Sequence, residues 1–136
     1  IGLKDMTADE LAYCQDAVAN WKRLQPAIMD GDQYRLVSPY ETNHMAVNYV
    51  SKDQKKAVLF AYDVYPRFQE KLINVKLQGL DPNKTYKVEE INLMPGVDSA
   101  LKSNGQTYTG DYLMKVGIEV FGFAATQSHV LELTAM

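Results

Sequence analysis

The chain has 136 residues, 46% of them hydrophobic, and a formal net charge of −3. This length fits one domain with a two-layer core. Phosphate binding needs clustered Lys and Arg, so the scattered charges argue against a nucleic-acid partner. The sequence has no run near the roughly 20 apolar residues that a membrane span needs, and its single Cys14 cannot form an internal disulfide. We therefore expect no nucleic-acid partner, no membrane partner and no disulfide framework.

Residues 3–30 carry the helix signal. Thr7 and Glu10 form a capping box, in which the side chain of each can bond to the backbone N–H of the other. Apolar residues then recur at spacings of three and four, which predicts an amphipathic helix. They include Leu11, Cys14, Val18 and Trp21.

The end of this helix is also marked, by two residues that disfavour helix. Pro26 is expected to kink or divide the helix, and Gly31 is expected to end it. We interpret Cys14 and Trp21 as packing residues on the apolar stripe, because no His or second Cys lies near them in the sequence to favour a reactive or ligand-binding role.

The segment Tyr34–Tyr62 predicts three short strands in succession. The third contains a continuous apolar run, Ala57–Ala61, which is typical of a strand with both faces covered. A second layer must therefore pack against it. The polar turn Ser51–Lys55 predicts an exposed hairpin tip, and we interpret the only basic cluster, Lys52, Lys55 and Lys56, as solvated there rather than as a phosphate site.

The rest of the chain repeats short strands with short connections, too short for crossover helices. We therefore predict a mainly β fold: a two-sheet antiparallel β-sandwich of the Greek-key type, preceded by one N-terminal amphipathic α-helix. The further strands are Leu72–Leu77, Thr85–Val88, Leu113–Val120 and His129–Thr134, and residues 94–111 are a surface connection with at most a short helix near Val97–Ser103.

Few residues indicate catalytic or metal chemistry. His44 and His129 have no Cys or carboxylate at metal-ligand spacing, so we expect no metal and no cofactor. A glycosidase needs two carboxylates roughly 5–10 Å apart across a cleft, which spacing along strands cannot establish. We interpret the available carboxylates as solvated charges and assign no catalytic residue. They are Glu41, Asp63, Glu89, Glu90, Asp111 and Glu119.

The nine tyrosines are a more informative excess, because aromatic faces stack on sugars. Tyr49, Tyr62 and Tyr86 alternate with core positions, which favours packing with the hydroxyl at the rim. An alternative function is a carbohydrate-binding module in which residues near predicted loops form a sugar platform. These residues are Tyr65, Tyr108 and Tyr112.

Four sequence motifs occur in a fixed order and cover most of the chain. They are Leu24-Gln25-Pro26 followed by Gly31–Pro39, then Lys56–Ala61, Leu77–Pro82 and Thr109–Gly117. The series resembles the end of the family 36 glycoside hydrolases, the alpha-galactosidases, where the last helix of a catalytic (β/α)8 barrel leads into a C-terminal β-sandwich. Thr109 stands where this family usually has Ser.

The resemblance implies that residues 1–33 are the end of the barrel and residues 34–136 the sandwich domain. The family's catalytic aspartates would lie before Ile1, so no catalytic residue is carried over. The start at Ile1, without an initiator Met, fits a piece of a longer protein and leaves its localisation undecided.

The expected function is a non-catalytic, inactive fragment that supports the barrel of a retaining alpha-galactosidase. The expected partners are that missing barrel and a second copy bound through the helix face. A protein-interaction sandwich is a further alternative to the binding module.

Overall fold

The computed structural model describes residues 2–122 and 127–136. A short 3-10 helix, Leu3–Asp5, precedes helix α1, Ala8–Met29, and within the described residues no helix is long and apolar enough to cross a membrane. The strands are β1 Asp32–Val37, β2 His44–Val50, β3 Lys56–Asp63, β4 Thr85–Ile91, β5 Thr107–Thr109 and β6 Gln127–Ala135, with helix α2, Gly110–Lys115, between β5 and β6.

The strands form one antiparallel sheet in the order β1-β2-β3-β6-β4-β5. The three successive strands predicted within Tyr34–Tyr62 are confirmed, and the polar turn between β2 and β3 is closed by a hydrogen bond from the Ser51 N–H to the Lys56 carbonyl. The last strand, β6, lies between β3 and β4, so the end of the chain completes the middle of the sheet.

A second layer covers one face of this sheet, which we call the far side. Two parts of the chain form it: the connection between β3 and β4, and α2 with the residues that follow it. They are joined by a bridge between Val75 and Ile118 and by a hydrogen bond from the Leu77 N–H to the Leu113 carbonyl. Their side chains pack into one buried core with β3, β4 and β6. The fold class, mainly β with an antiparallel sheet and a second layer behind an N-terminal helix, is therefore confirmed, although within residues 2–122 and 127–136 the second layer has one bridge in place of a full sheet. The core includes Leu59, Val75, Leu77, Tyr86, Val88, Leu113, Ile118, Leu131 and Leu133.

The prediction of a strand over Leu113–Val120 is wrong, because its first residues are helical and, of residues 116–120, only Ile118 pairs, in an isolated bridge with Val75. Residues 113–115 belong to α2, whose N-cap is Thr109: its hydroxyl accepts a hydrogen bond from the Tyr112 N–H at 3.1 Å. The apolar spacing in this segment fits a strand as well as a helix. The cap at Thr109 is the signal that favours the helix. The short strand β5 also forms inside the predicted surface connection.

Helix α1 packs against the opposite face, which we call the helix side. Leu24 and Ala27 are buried there, and α1 contacts β1, β2 and β3. Because the second layer covers the other face, both faces of the apolar run in β3 are covered, and Val58 and Leu59 on opposite faces are fully buried.

Helix α1 begins at the predicted capping box, and it is not divided at Pro26. Its buried positions, Asn20, Leu24 and Ala27, all lie in its second half. In this chain Trp21 is 46% exposed and Val18 52% exposed, so this part of the apolar stripe is only partly covered.

Candidate functional site

A pocket of about 210 Å³ opens between β5, α2 and the second layer. Tyr108 and Tyr112 form one wall, with their rings stacked 5.2 Å apart at 13°. Tyr108 packs against the core, whereas Tyr112 is 42% exposed and carries the outer ring of the stack. We call this the tyrosine pocket, and its lining is Asn74, Lys102, Ser103, Tyr108, Tyr112, Gly117, Ile118 and Glu119.

Ser103 lines the tyrosine pocket and is 3% exposed. Its Oγ has no hydrogen-bond partner among the residues that the structure describes. The surrounding loop is held in place, since the Asn104 side chain accepts a hydrogen bond from the Glu90 N–H at 2.8 Å and the Gly105 N–H donates to the Val88 carbonyl at 2.7 Å. A buried hydroxyl without a partner costs about 1–3 kcal/mol, so this atom is the unexplained polar group of the pocket.

The rest of the tyrosine pocket is polar and close to neutral. The Lys102 ammonium lies 3.7 Å from the Glu119 carboxylate in an exposed pair, and Asn74 contributes a side-chain amide. Burial, with a smaller contribution from Tyr112, raises the pKa of Tyr108, so its hydroxyl is neutral near pH 7. The pocket thus combines aromatic rings with several hydrogen-bonding groups.

Each histidine is paired with a carboxylate from a neighbouring strand, on the far side of the sheet. His44 Nδ1 lies 2.8 Å from Asp63 Oδ1, both side chains are fully buried, and the Asp63 carboxylate also accepts a hydrogen bond from the Gly122 N–H. The His44 ring stacks on Phe121 at 4.4 Å, and its Nε2 lies 3.5 Å from Glu70.

The second pair is His129 with Glu90, in which His129 Nδ1 lies 2.6 Å from Glu90 Oε1. The Ser99 hydroxyl donates to the other oxygen of Glu90. This arrangement does not activate the Ser99 hydroxyl as a nucleophile, because Ser99 bonds to the carboxylate of Glu90 and not to the imidazole of His129. The interpretation of Asp63 and Glu90 as solvated charges is wrong, since both carboxylates are buried.

The buried pairs do not assemble a metal site in the part of the chain that the structure describes, where no group of three possible ligands occurs. The other candidate carboxylates lie at the surface. Glu89 pairs with Lys87 and Asp111 with Lys115, while Glu41 is exposed. The structure thus joins Asp63 and Glu90 to imidazoles, and the remaining acidic groups to ammonium groups or solvent.

The helix side carries an ionic cluster around the buried carboxylate of Glu132, and this cluster ties α1 to the sheet. Glu132 of β6 accepts from Arg23 of α1 at 2.5 Å and from Lys56 of β3 at 2.6 Å. Burial opposes ionisation of Glu132, but the hydrogen bonds and charges of Arg23 and Lys56 outweigh it and hold its pKa below the ordinary value. Lys56 is therefore not a solvated residue of the hairpin tip, whereas Lys52 pairs with exposed Asp32.

The remaining tyrosines divide between core and surface. Tyr86 is fully buried, and its hydroxyl donates to the Gln54 carbonyl at 2.6 Å and accepts from the Asp81 N–H, so this hydroxyl lies inside a backbone cluster and not at the rim. Of the predicted platform, the structure brings together Tyr108 and Tyr112, while Tyr65 lies exposed in the connection after β3.

Comparison with known proteins identifies the domain. A family model described as "Glycosyl hydrolase family 36 C-terminal domain" matches residues 44–133. The chain belongs to this family. The resemblance seen in its four motifs is therefore confirmed, and the matched range runs from the first residue of β2 into β6.

Relatives of this family 36 domain are much longer proteins. The chain is 33% identical over 114 residues to a probable alpha-galactosidase C of Aspergillus terreus, a match that covers 84% of this chain and 13% of the relative. It is 28% identical over 118 residues to alpha-galactosidase AgaA of Geobacillus stearothermophilus, covering 87% and 14%.

The fold of this family 36 domain also matches a solved structure. The crystal structure of the GH36 alpha-galactosidase AgaB from Geobacillus stearothermophilus matches with a TM-score of 0.80 and 27% identity, covering 98% of this chain and 17% of that chain. The chain thus spans about one seventh of its curated relatives and corresponds to the non-catalytic C-terminal domain of the family.

Proposed function

We propose that this chain is part of a longer alpha-galactosidase, which hydrolyses terminal alpha-galactosides, and that it supports the catalytic barrel without contributing catalytic groups. The family match and the names of the relatives support this proposal. We further propose that residues 1–33 are the end of that barrel and residues 34–136 the sandwich domain.

The observation that carries the proposal is the set of exposed apolar residues on the helix side. Met45 and Tyr62 lie opposite each other in β2 and β3 and point to the same face as buried Val47 and Val58, yet α1 leaves both partly exposed. Exposed apolar patches mark interaction surfaces. Exposed apolar residues also lie on α1, where Leu11 and Val18 point away from its buried positions. We call these residues of α1 and of the two strands together the helix-side surface: Leu11, Val18, Trp21, Met45 and Tyr62.

The ionic cluster around Glu132 gives this surface a fixed geometry. Arg23 joins α1 to β6, and Lys56 joins β3 to the same carboxylate. The amide of Asn20 adds a contact to Asn92, the residue after β4, at 2.8 Å. Helix and sheet therefore form one unit that can present the helix-side surface to a barrel, or to a second copy of the chain.

Two measurements test the proposal. The longer product of the gene should hydrolyse 4-nitrophenyl alpha-galactoside, and the 136-residue chain should not. In the longer product, Trp21→Glu should lower the melting temperature because it places a charge in the contact, whereas the control Val97→Glu, at an exposed apolar position in the connection after β4, should not.

Three outcomes would contradict the proposal. The first is turnover by the 136-residue chain, and the second is an upstream reading frame without barrel patterning. The third is a Trp21→Glu protein as stable as the Val97→Glu protein. Light scattering separates the two partners, because a dimer of the short chain that dissociates on Trp21→Glu would assign the surface to a second copy.

A further inference from the structure

We propose that the tyrosine pocket binds one neutral pyranose unit of an oligosaccharide. Its volume of about 210 Å³ lies below the roughly 300 Å³ typical of sites for drug-sized ligands and equals about seven waters at roughly 30 Å³ each. A single sugar ring suits that space, and the open side of the pocket lets the next unit of a chain extend into solvent.

The chemistry of the lining matches a sugar ring. The C–H face of a pyranose packs on an aromatic ring, and Tyr112 carries the exposed ring of a stack that Tyr108 supports from the core side. Sugar hydroxyls both donate and accept hydrogen bonds, and the pocket offers the Asn74 amide and the Glu119 carboxylate for them.

Charge selects against ionic ligands. Glu119 and Lys102 form an ion pair at the rim, so the pocket carries no net excess of either sign from these two groups. An anionic sugar would displace or repel Glu119. A neutral ligand avoids that cost, since it can bond to both members of the pair.

The buried hydroxyl of Ser103 is a separate observation that favours a polar ligand in the pocket. Its buried Oγ has no partner among the described residues, and a hydroxyl in that position normally has one. Where it stands this Oγ is shielded from solvent, so a rotation of the Ser103 side chain toward the pocket would be needed for a sugar hydroxyl to supply the missing bond. If Ser103 served packing alone, its hydroxyl would only destabilise the fold, and an alanine would serve better.

The tyrosine pocket lies away from the helix-side surface. It is built from the second layer, α2 and β5, with Ile118 in the far-side core, while α1 packs on the opposite face of the sheet. Contacts made by the helix-side surface would leave it open. The inference therefore does not depend on the proposed function, and either can fail without the other.

The test is an NMR titration of the 136-residue chain with galactose, melibiose and raffinose. Amide shifts should concentrate at residues 102–119 and at Asn74. Tyr112→Ala should weaken binding about 2–10-fold through loss of the ring contact. The matched control Tyr65→Ala removes an exposed tyrosine outside the pocket and should bind as the original chain does.

Ser103→Ala separates a ligand contact from a packing role. It should weaken binding about 2–10-fold while thermal stability stays unchanged or rises. Galacturonate should bind more weakly than galactose. The proposal is overturned by an absence of shifts at the highest soluble sugar concentration, by shifts outside the pocket, by unchanged affinity of Tyr112→Ala or Ser103→Ala, or by galacturonate binding at least as tightly as galactose.

Discussion

The two faces of the sheet are covered to different degrees. On the far side the chain supplies its own second layer, and Leu59, Leu131 and Leu133 are fully buried. On the helix side α1 buries Val47 and Val58 but leaves the helix-side surface in solvent. The free energy of unfolding of this chain should therefore depend mainly on the far side, whereas the helix side keeps apolar side chains in solvent that the proposed contact would cover.

The largest expected effect is on the far side, where Leu131→Ala removes a fully buried side chain from the middle of the sheet. It should lower the free energy of unfolding by about 2–5 kcal/mol, because the lost burial adds to the cost of the cavity. Urea unfolding measures this change. Met45→Ala, on the helix side of the same sheet, is the control and should cost clearly less; equal losses would remove the contrast between the faces.

The next effect concerns the helix-side cluster, where Glu132→Gln removes the charge that binds Arg23 and Lys56. It should cost about 1.5–3 kcal/mol of unfolding free energy, the range for hydrogen bonds to charged groups. Glu89 lies opposite Glu132 on β4 and forms an exposed pair with Lys87. Glu89→Gln is therefore the control and should change stability by less than about 0.5 kcal/mol.

The same carboxylate predicts a dependence of stability on pH. Because the pKa of Glu132 is lowered in the folded state, its contribution is present above the ordinary carboxyl pKa and is lost as the pH falls through the folded value. Urea unfolding from about pH 7 to about pH 3 should show a shallower acid decline for Glu132→Gln.

The pH comparison needs a reference for other acidic groups. The pKa values of Glu10, Asp53 and Glu70 are also lowered by hydrogen bonds, so part of the acid decline should remain in Glu132→Gln. A Glu132→Gln slope identical to that of the original chain would mean that the cluster does not contribute to stability.

A smaller effect on the far side comes from one hydroxyl. Tyr86→Phe removes the donor to the Gln54 carbonyl and the acceptor of the Asp81 N–H, which join the β2–β3 turn to the connection before β4. The expected loss is about 1 kcal/mol in thermal or urea unfolding. Tyr62→Phe, at an exposed position on the helix side, is the control, and a loss as large there would contradict the assignment.

The local features of the fold were predictable because they depend on neighbouring residues. The capping box at Thr7 and the hairpin of β2 and β3 each depend on residues within one short segment of the sequence. The pairing of His44 with Asp63 had no such signal. Counting outward from the predicted turn Ser51–Lys55 places His44 opposite Tyr62, whereas the observed register pairs Val50 with Ala57 and so His44 with Asp63, one residue further along β3.

Other features depend on contacts between distant segments and had no such signal. The insertion of β6 between β3 and β4 brings His129 of β6 beside Glu90 of β4, and no spacing in the sequence indicates which strand lies next to which. The tyrosine pocket is a similar case, because Asn74, Ser103 and Tyr112 come from three separate segments. Their convergence follows from the second layer, which pattern alone could not place.

The smallest expected effect is at Val18 of the helix-side surface. Val18→Ala removes an apolar side chain that is already half in solvent, so the free energy of unfolding should change by less than about 0.5 kcal/mol. Trp21 fluorescence should be quenched by acrylamide in the folded chain, since its ring is only partly covered. A loss comparable to that of Leu131→Ala, or a Trp21 shielded from quencher, would show that the short chain already covers this surface. In that case a second copy is its partner, and the contrast between the two faces holds only for the isolated protomer.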